Sequence, residues 1–198
     1  PICARGAEPI EIATIAIGPA PDEALVARAI ADLGKADVVA FTSENGVVAF
    51  FDALSRAGKD ARSFGAARVA SIGAATAEAL ARRGIVADIV PSNFRGEALA
   101  GAILADLAKG RGGARGARVV IPRALVAREA LPDMLRAAGA EVDVVPVYET
   151  RPAGDAARDQ LRARLVAGDI DVVLATSPST IENLCELVGP EAPELLAK

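Results

Sequence analysis

The sequence contains no histidine and no tryptophan. Without imidazole there is no Ser-His-Asp triad, no histidine general base and none of the usual catalytic zinc sites. Only two cysteines occur, Cys3 and Cys185, far apart in the chain. Two lone thiols make neither a disulfide scaffold nor a metal cluster, and a reduced, cytoplasmic compartment is the expectation. Aromatic residues are scarce, with one tyrosine and five phenylalanines, so the core must be built from Ala, Val, Leu and Ile. No run approaches the ~20 apolar residues of a membrane span. No charged n-region leads into an apolar stretch, so no signal peptide is expected. The net charge of −4 lacks the basic face that nucleic-acid phosphates require.

What is present is a globular composition, 52% hydrophobic and 24% charged over 198 residues. A chain of that length holds one domain or two small ones. Short β-rich runs alternate with Ala/Leu-rich helical stretches. Strands are expected at 10–17, 37–41, 68–72, 87–90, 118–121, 142–148 and 171–175. Helices are expected at 22–33, 45–57, 76–83, 96–108, 128–138, 158–166 and 179–187. Short, continuously apolar strands between helices indicate an α/β fold with a parallel sheet covered on both faces. Gly58, Gly84 and Gly139 read as helix stops, Gly84 after the cationic last turn Arg82-Arg83. Ser177-Pro178 reads as an N-cap followed by proline at the first helical position. Residues 109–117 (KGRGGARGA) read as a flexible, solvated basic loop.

An internal repeat carries more than any single motif. DVVAFTS at Asp37–Ser43 recurs as DVVLATS at Asp171–Ser177, and Gly6-Ala7-Glu8 recurs at nearly the same offset as Gly139-Ala140-Glu141. Two similar parallel-sheet α/β domains joined by a two-stranded hinge are therefore expected. Residues 17–147 would form the complete domain. Residues 1–16 and 148–198 would be parts of a second, discontinuous one, clipped at both ends in this chain.

Ligands of parallel α/β sheets bind beyond the carboxyl ends of the strands, where helix N-termini point. Three such ends are polar here: 42–46 (Thr42, Ser43, Glu44, Asn45, Gly46), Gly73-Ala74-Ala75-Thr76, and 176–180 (Thr176, Ser177, Pro178, Ser179, Thr180). Each offers free amides, a hydroxyl and the positive end of a helix dipole, which suits carboxylate or phosphate. Plain N-capping explains any one of them alone. Three in equivalent positions, two of them facing each other across a hinge, point to a ligand cleft. Arg123 ends another strand, ahead of Arg128, and could pair bidentately with a carboxylate. Ser92, Asn93 and Arg95 are a weaker version of the same idea. Tyr148 sits in VYET on the expected hinge strand, either as a proton donor to a leaving oxygen or as a hinge aromatic packed by its ring. Glu149 could be its carboxylate partner. Neither a P-loop nor a dinucleotide fingerprint occurs.

The ordered set DVVAFTSENGV, VASIGAATAEAL with GIVADIVP, RVVIPRALVAREALPDMLRAAGAEVDVVPVYET and DVVLATSPSTIENL resembles the uroporphyrinogen-III synthase family, over about Gly6 to Leu187. The resemblance implies a lyase of tetrapyrrole (porphyrin and heme) biosynthesis with two α/β domains and a two-stranded linker. Its substrate is hydroxymethylbilane, a linear tetrapyrrole with eight carboxylates. The enzyme closes this chain, with loss of water and inversion of ring D through a spiro intermediate. Such chemistry needs positioning and anion binding more than a strong base, and no metal or cofactor. By motif, Tyr148 is the implied proton donor. Thr42, Ser43, Asn45, Gly73, Ala74, Ala75, Thr76, Ser92, Arg123, Ser177, Pro178 and Ser179 are the implied substrate-binding positions. A monomer acting on a small molecule, with neither nucleic acid nor membrane as partner, is expected. The family's leading strand and helix and its C-terminal Gly-x-x-Thr segment are not found in these residues. Two other readings compete: a non-catalytic binding module for a small polycarboxylate, and a phosphosugar- or nucleotide-binding α/β domain.

Overall fold

The computed structural model describes residues 2–175 and 177–196. Its elements in chain order are β1 (Ile15–Gly18), α1 (Glu23–Ala31), β2 (Val38–Phe41), α2 (Glu44–Arg56), β3 (Arg68–Ser71), α3 (Ala74–Arg82), α4 (Gly96–Arg111), β4 (Arg118–Ala124), α5 (Ala130–Ala137), β5 (Glu141–Pro152), α6 (Asp155–Ala167), α7 (Pro178–Val188) and α8 (Ala192–Leu196). The five strands run in the order β1-β5-β4-β2-β3. The β2/β3, β2/β4 and β4/β5 pairs are all parallel. Internal contacts divide the chain into a larger unit, Gly18–Glu149, and a smaller one built from the two flanks, up to Ile17 and from Thr150.

In the larger unit the sheet separates two apolar layers, because successive strand residues point to opposite faces. Val39, Phe41, Val69 and Val120 face one layer, with Val26, Ile30, Phe50, Leu54 and Leu80 from α1, α2 and α3. Val38, Ala40, Ala70, Val119 and Ile121 face the other, with Leu99, Ile103, Leu131 and Leu135 from α4 and α5. Burial on both faces is why these strands read as unbroken apolar runs in the sequence. Four of the few aromatic rings, Phe41, Phe50, Phe51 and Phe64, meet in the first layer, with Phe51 stacked on Phe64 at 5.6 Å.

The two edges of this sheet differ. At the amino ends of the strands, charge closes the fold. Asp37 accepts from the backbone N of Arg118 at 2.8 Å and pairs with Arg111. Arg68 pairs with Asp88 and Asp106, and Arg118 with Asp143. The hydrogen bond from Arg68 to Asp106 holds the guanidinium above its ordinary pKa. Residues 109–117 belong partly to this edge: α4 continues to Arg111, and Gly116 N donates to Gly139 O at 2.9 Å. The expected flexible loop is thus shorter and tied down. At the carboxyl ends the strands run into hydroxyls, glycine and open helix termini.

The smaller unit has its own small core, in which α6, α7 and α8 bury Leu161, Leu165, Leu184, Leu187, Val188 and Ala192. Three expected strands differ from those observed. Residues 171–175 form no strand; Val172 and Leu174 are 72% and 73% exposed. A strand needs a neighbour to satisfy its amides and carbonyls, and none of the described strands lies beside this segment. The expected strand at 87–90 is reduced to a single bridge between Ile89 and Ala70. Of 10–17 only the end is extended, as β1. The helix stops are as expected: Gly58, Gly84 and Gly139 take positive φ at 69°, 83° and 90°. No helix among the described residues is long and apolar enough to cross a membrane.

Candidate functional site

The carboxyl edge of the larger unit begins with Ser43. It follows β2 in extended conformation and caps α2, its Oγ accepting from Gly46 N at 3.0 Å. Glycine at 46 lets that turn close, since a Cβ there would lie 3.2 Å from the Pro122 carbonyl oxygen of β4. The Ser43 hydroxyl also lies 3.1 Å from the Tyr148 hydroxyl of β5, 105 residues away in sequence. Tyr148 is buried, and its ring packs into the phenylalanine-rich layer. Leu125 N donates to the Tyr148 carbonyl at 2.9 Å, tying the end of β4 to the same point. Ser43 has one proton and two lone pairs. With one lone pair turned to Gly46, it can donate to the Tyr148 oxygen and leave the phenol proton free.

On the same edge lies the start of α3. The register Phe41↔Ser71 and the bond from Ile72 N to Phe41 O (3.0 Å) bring the end of β3, which Gly73 follows, to the same edge as the end of β2, which Ser43 follows. Gly73 is the N-cap of α3 and offers no side chain to it. The amides of Ala74, Ala75 and Thr76 therefore begin the helix without the side-chain acceptor that α2 has. Ala74 and Ala75 are exposed, whereas Thr76 is buried. Ser71 is fully buried at the end of β3, its hydroxyl donating to Gly73 O at 3.3 Å. Ser71 was missed by the sequence reading, although a hydroxyl in the apolar run VASI was the available signal.

The remaining candidates lie as follows. Thr42 is half-buried, whereas Asn45 and Ser92 are exposed, like Asn93 and Arg95. Arg123 is buried rather than presented to solvent. Its Nη1 donates to Arg128 O at 3.1 Å and its Nη2 pairs with Glu129, while its buried Nε has no partner. Arg128 does not open α5, which starts two residues later; its carbonyl instead anchors Arg123. Glu149 is half-buried. In the smaller unit, Ser177 caps α7, accepting from Thr180 N at 3.3 Å, with Pro178 in the first turn. Its hydroxyl also meets those of Ser179 and Thr180 at 3.0 and 2.8 Å. Ser177, Pro178 and Ser179 are exposed. Thr176 lies outside the described residues. The motif reading thus finds Ser43, Tyr148 and Gly73–Thr76 assembled at one edge of one unit, and Ser177–Ser179 on the other unit.

Fold and site together define a parallel α/β protein whose sheet is locked by ion pairs at one edge and presents hydroxyls and helix amides at the other. Within that class, the chain belongs to the uroporphyrinogen-III synthase HemD family, which it matches over residues 1–198. It is 32% identical to the uroporphyrinogen-III synthase of Synechococcus elongatus, over 94% of this chain and 67% of that one. It is 29% identical to the porphyrin biosynthesis protein HemD of Ruminiclostridium josui, over 90% of this chain but only 34% of that one. A relative in Methanothermobacter thermautotrophicus is 35% identical and is covered over 60% of its length. The chain thus spans about a third of one curated relative and about three-fifths of another. Its fold is that of a uroporphyrinogen III synthase from the extremely thermophilic bacterium Thermus thermophilus, with a TM-score of 0.63 at 19% identity, covering 97% of this chain and 72% of that one.

Proposed function

We propose that this chain carries out the uroporphyrinogen-III synthase reaction, closing hydroxymethylbilane to uroporphyrinogen III with loss of water. The observation that carries the reading is the Ser43–Tyr148 hydroxyl pair, 3.1 Å apart, on the same sheet edge as the uncapped start of α3. In this reading Tyr148 gives its proton to the hydroxyl of the bilane as the C–O bond breaks, releasing water and leaving a phenolate and an azafulvene still protonated at its pyrrole nitrogen. Ser43, donating to the phenolic oxygen, eases that proton loss. The substituted carbon of ring D then attacks the azafulvene carbon and forms the spiro intermediate. Fragmentation and reclosure invert ring D, and the final loss of a ring proton restores the proton balance.

The unassisted precursor closes without inversion, so the protein's task is to hold the folded bilane in the geometry of the inverted route. The amides of Ala74, Ala75 and Thr76, with the hydroxyls of Thr42 and Ser43, take substrate carboxylates at a helix N-terminus. Asn45 and Ser92 supply further polar contacts. Arg123 takes a carboxylate in exchange for Glu129, which is half-exposed and re-solvates readily. The smaller unit contributes Ser177, Pro178 and Ser179 at the start of α7. We further propose that residues 17–147 act as one domain and 1–16 with 148–198 as the second, that the protein works as a monomer in the cytoplasm, and that it uses neither cofactor nor metal.

The test supplies hydroxymethylbilane, oxidises the product and resolves type I from type III uroporphyrin. Type III product above the spontaneous background, falling sharply in Tyr148→Phe, supports the reading. Tyr148→Phe with wild-type turnover removes tyrosine as the acid.

A further inference from the structure

Of the five phenylalanines, four are buried in the layer between α2 and the sheet, while Phe94 is 64% exposed. Its position is set on both sides. Pro91 is buried, Arg95 is the N-cap residue of α4, and Arg95 N donates to Asn93 O at 2.9 Å. This short turn lays the Phe94 ring on the backbone of Gly73. A Cβ built on Gly73 would lie 2.7 Å from Phe94 Cδ1 and 3.1 Å from its Cγ. Gly73 has φ −175°, extended backbone open to any residue. The ring, not the backbone conformation, is what calls for glycine at 73.

Gly73 and Ser43 each follow the last paired residues of β3 and β2 by two positions, and the Ser43 hydroxyl meets that of Tyr148. An outward-facing ring in a chain with only 3% aromatic residues therefore lies at the edge that carries the hydroxyl pair. Other apolar side chains are exposed there: Leu125 and Val126, immediately after β4, at 44% and 88%, and Val90, next to the Ile89 bridge, at 46%. The opposite edge is occupied by the ion pairs of Arg68, Arg118 and Asp37. Apolar groups set among hydroxyls and free amides suit a ligand with flat apolar faces and charged substituents better than they suit a small hydrophilic anion such as phosphate.

We infer that Phe94 is a substrate-contact residue whose ring stacks on a pyrrole ring of the bilane, with Gly73 kept side-chain-free so that the ring can lie there. The inference rests on the synthase reading for the identity of the ligand. Stacking fixes the plane of one pyrrole while its substituents stay free to meet amides and hydroxyls, and an offset aromatic contact of this kind is available to any flat ring.

The experiment compares wild type with Phe94→Ala, Phe94→Trp and Gly73→Ala. It uses two readouts, KM for hydroxymethylbilane in type III formation and Kd for uroporphyrin III followed by its absorbance. Phe94→Ala is expected to raise both about tenfold, the scale of one lost aromatic stack, with kcat changed less than about twofold and Tm unmoved. Phe94→Trp is expected to stay near wild type, and Gly73→Ala to share part of the loss by pushing the ring aside. Phe94→Ala within about twofold of wild type in both constants overturns the assignment, as does a loss of kcat and Tm together. A wild type that binds uroporphyrin III but forms no type III product defeats the synthase reading alone, and Kd then decides the role of Phe94. A wild type that binds neither bilane nor porphyrin overturns both.

Discussion

Ser43 and Tyr148 are predicted to rank oppositely in stability and in activity. Ser43→Ala removes two interactions, the acceptor for Gly46 N and the partner of Tyr148. A lost N-cap costs about 1 kcal/mol and a lost neutral hydrogen bond about 1 kcal/mol, so about 2 kcal/mol in all. Tyr148→Phe removes only the hydroxyl pair, about 1 kcal/mol, because Ser43 still caps α2. The double variant again loses cap and pair once each, about 2 kcal/mol, roughly 1 kcal/mol less than the sum of the single losses. Urea unfolding followed by circular dichroism measures all three differences. In the synthase assay the order reverses, because Tyr148 is the proton donor and Ser43 only assists it. Additive losses, with the double variant near 3 kcal/mol, would refute the hydrogen bond. A smaller activity loss for Tyr148→Phe than for Ser43→Ala would refute the division of roles.

Phe41→Ala, in the centre of the phenylalanine cluster and fully buried, is expected to cost about 3–5 kcal/mol, read as a fall in the urea midpoint. Arg123→Met is expected to lower stability only slightly, since a buried Nε without a partner disappears with the charge and Glu129 returns to water. Its mark should be faster amide hydrogen exchange over residues 125–129. Hydrogen bonds from the Arg62 side chain and from its backbone N–H hold the Asp60 carboxyl below its ordinary range. That contribution is present above the unfolded carboxylate pKa and is lost as pH falls through the lowered folded value. Asp60→Asn should therefore flatten the fall of Tm on acidification below about pH 4.

Local rules made much of the fold legible. Ser43 and Ser177 cap helices because a serine before a helical run can accept from the amide three residues on. Gly58, Gly84 and Gly139 stop helices because only glycine adopts positive φ at little cost. The expectation failed where partners decide the outcome. DVVLA at 171–175 has much the same composition as the DVVAF run of β2 but no described strand beside it, so it stays irregular and exposed. Residues 87–90 make one bridge where a full strand was expected. Arg123 reads in the sequence as a strand-end guanidinium open to a carboxylate, because nothing in VVIPRA shows that Arg128 O and Glu129 fold back over it. Phe94 escaped notice because an exposed ring has no periodicity to announce it. The candidate positions themselves were reached through the ordered motifs of the family. The contact between Ser43 and Tyr148, made across 105 residues, follows from strand order and not from any local pattern.

The isomer of the product decides whether this chain is a synthase. Hydroxymethylbilane should be given to rising concentrations of the protein, and the ratio of type III to type I uroporphyrin measured at early times. The expected result is a type III fraction that rises with protein and collapses toward the spontaneous ratio in Tyr148→Phe. A ratio that stays at the spontaneous value at every concentration of a folded protein would contradict it.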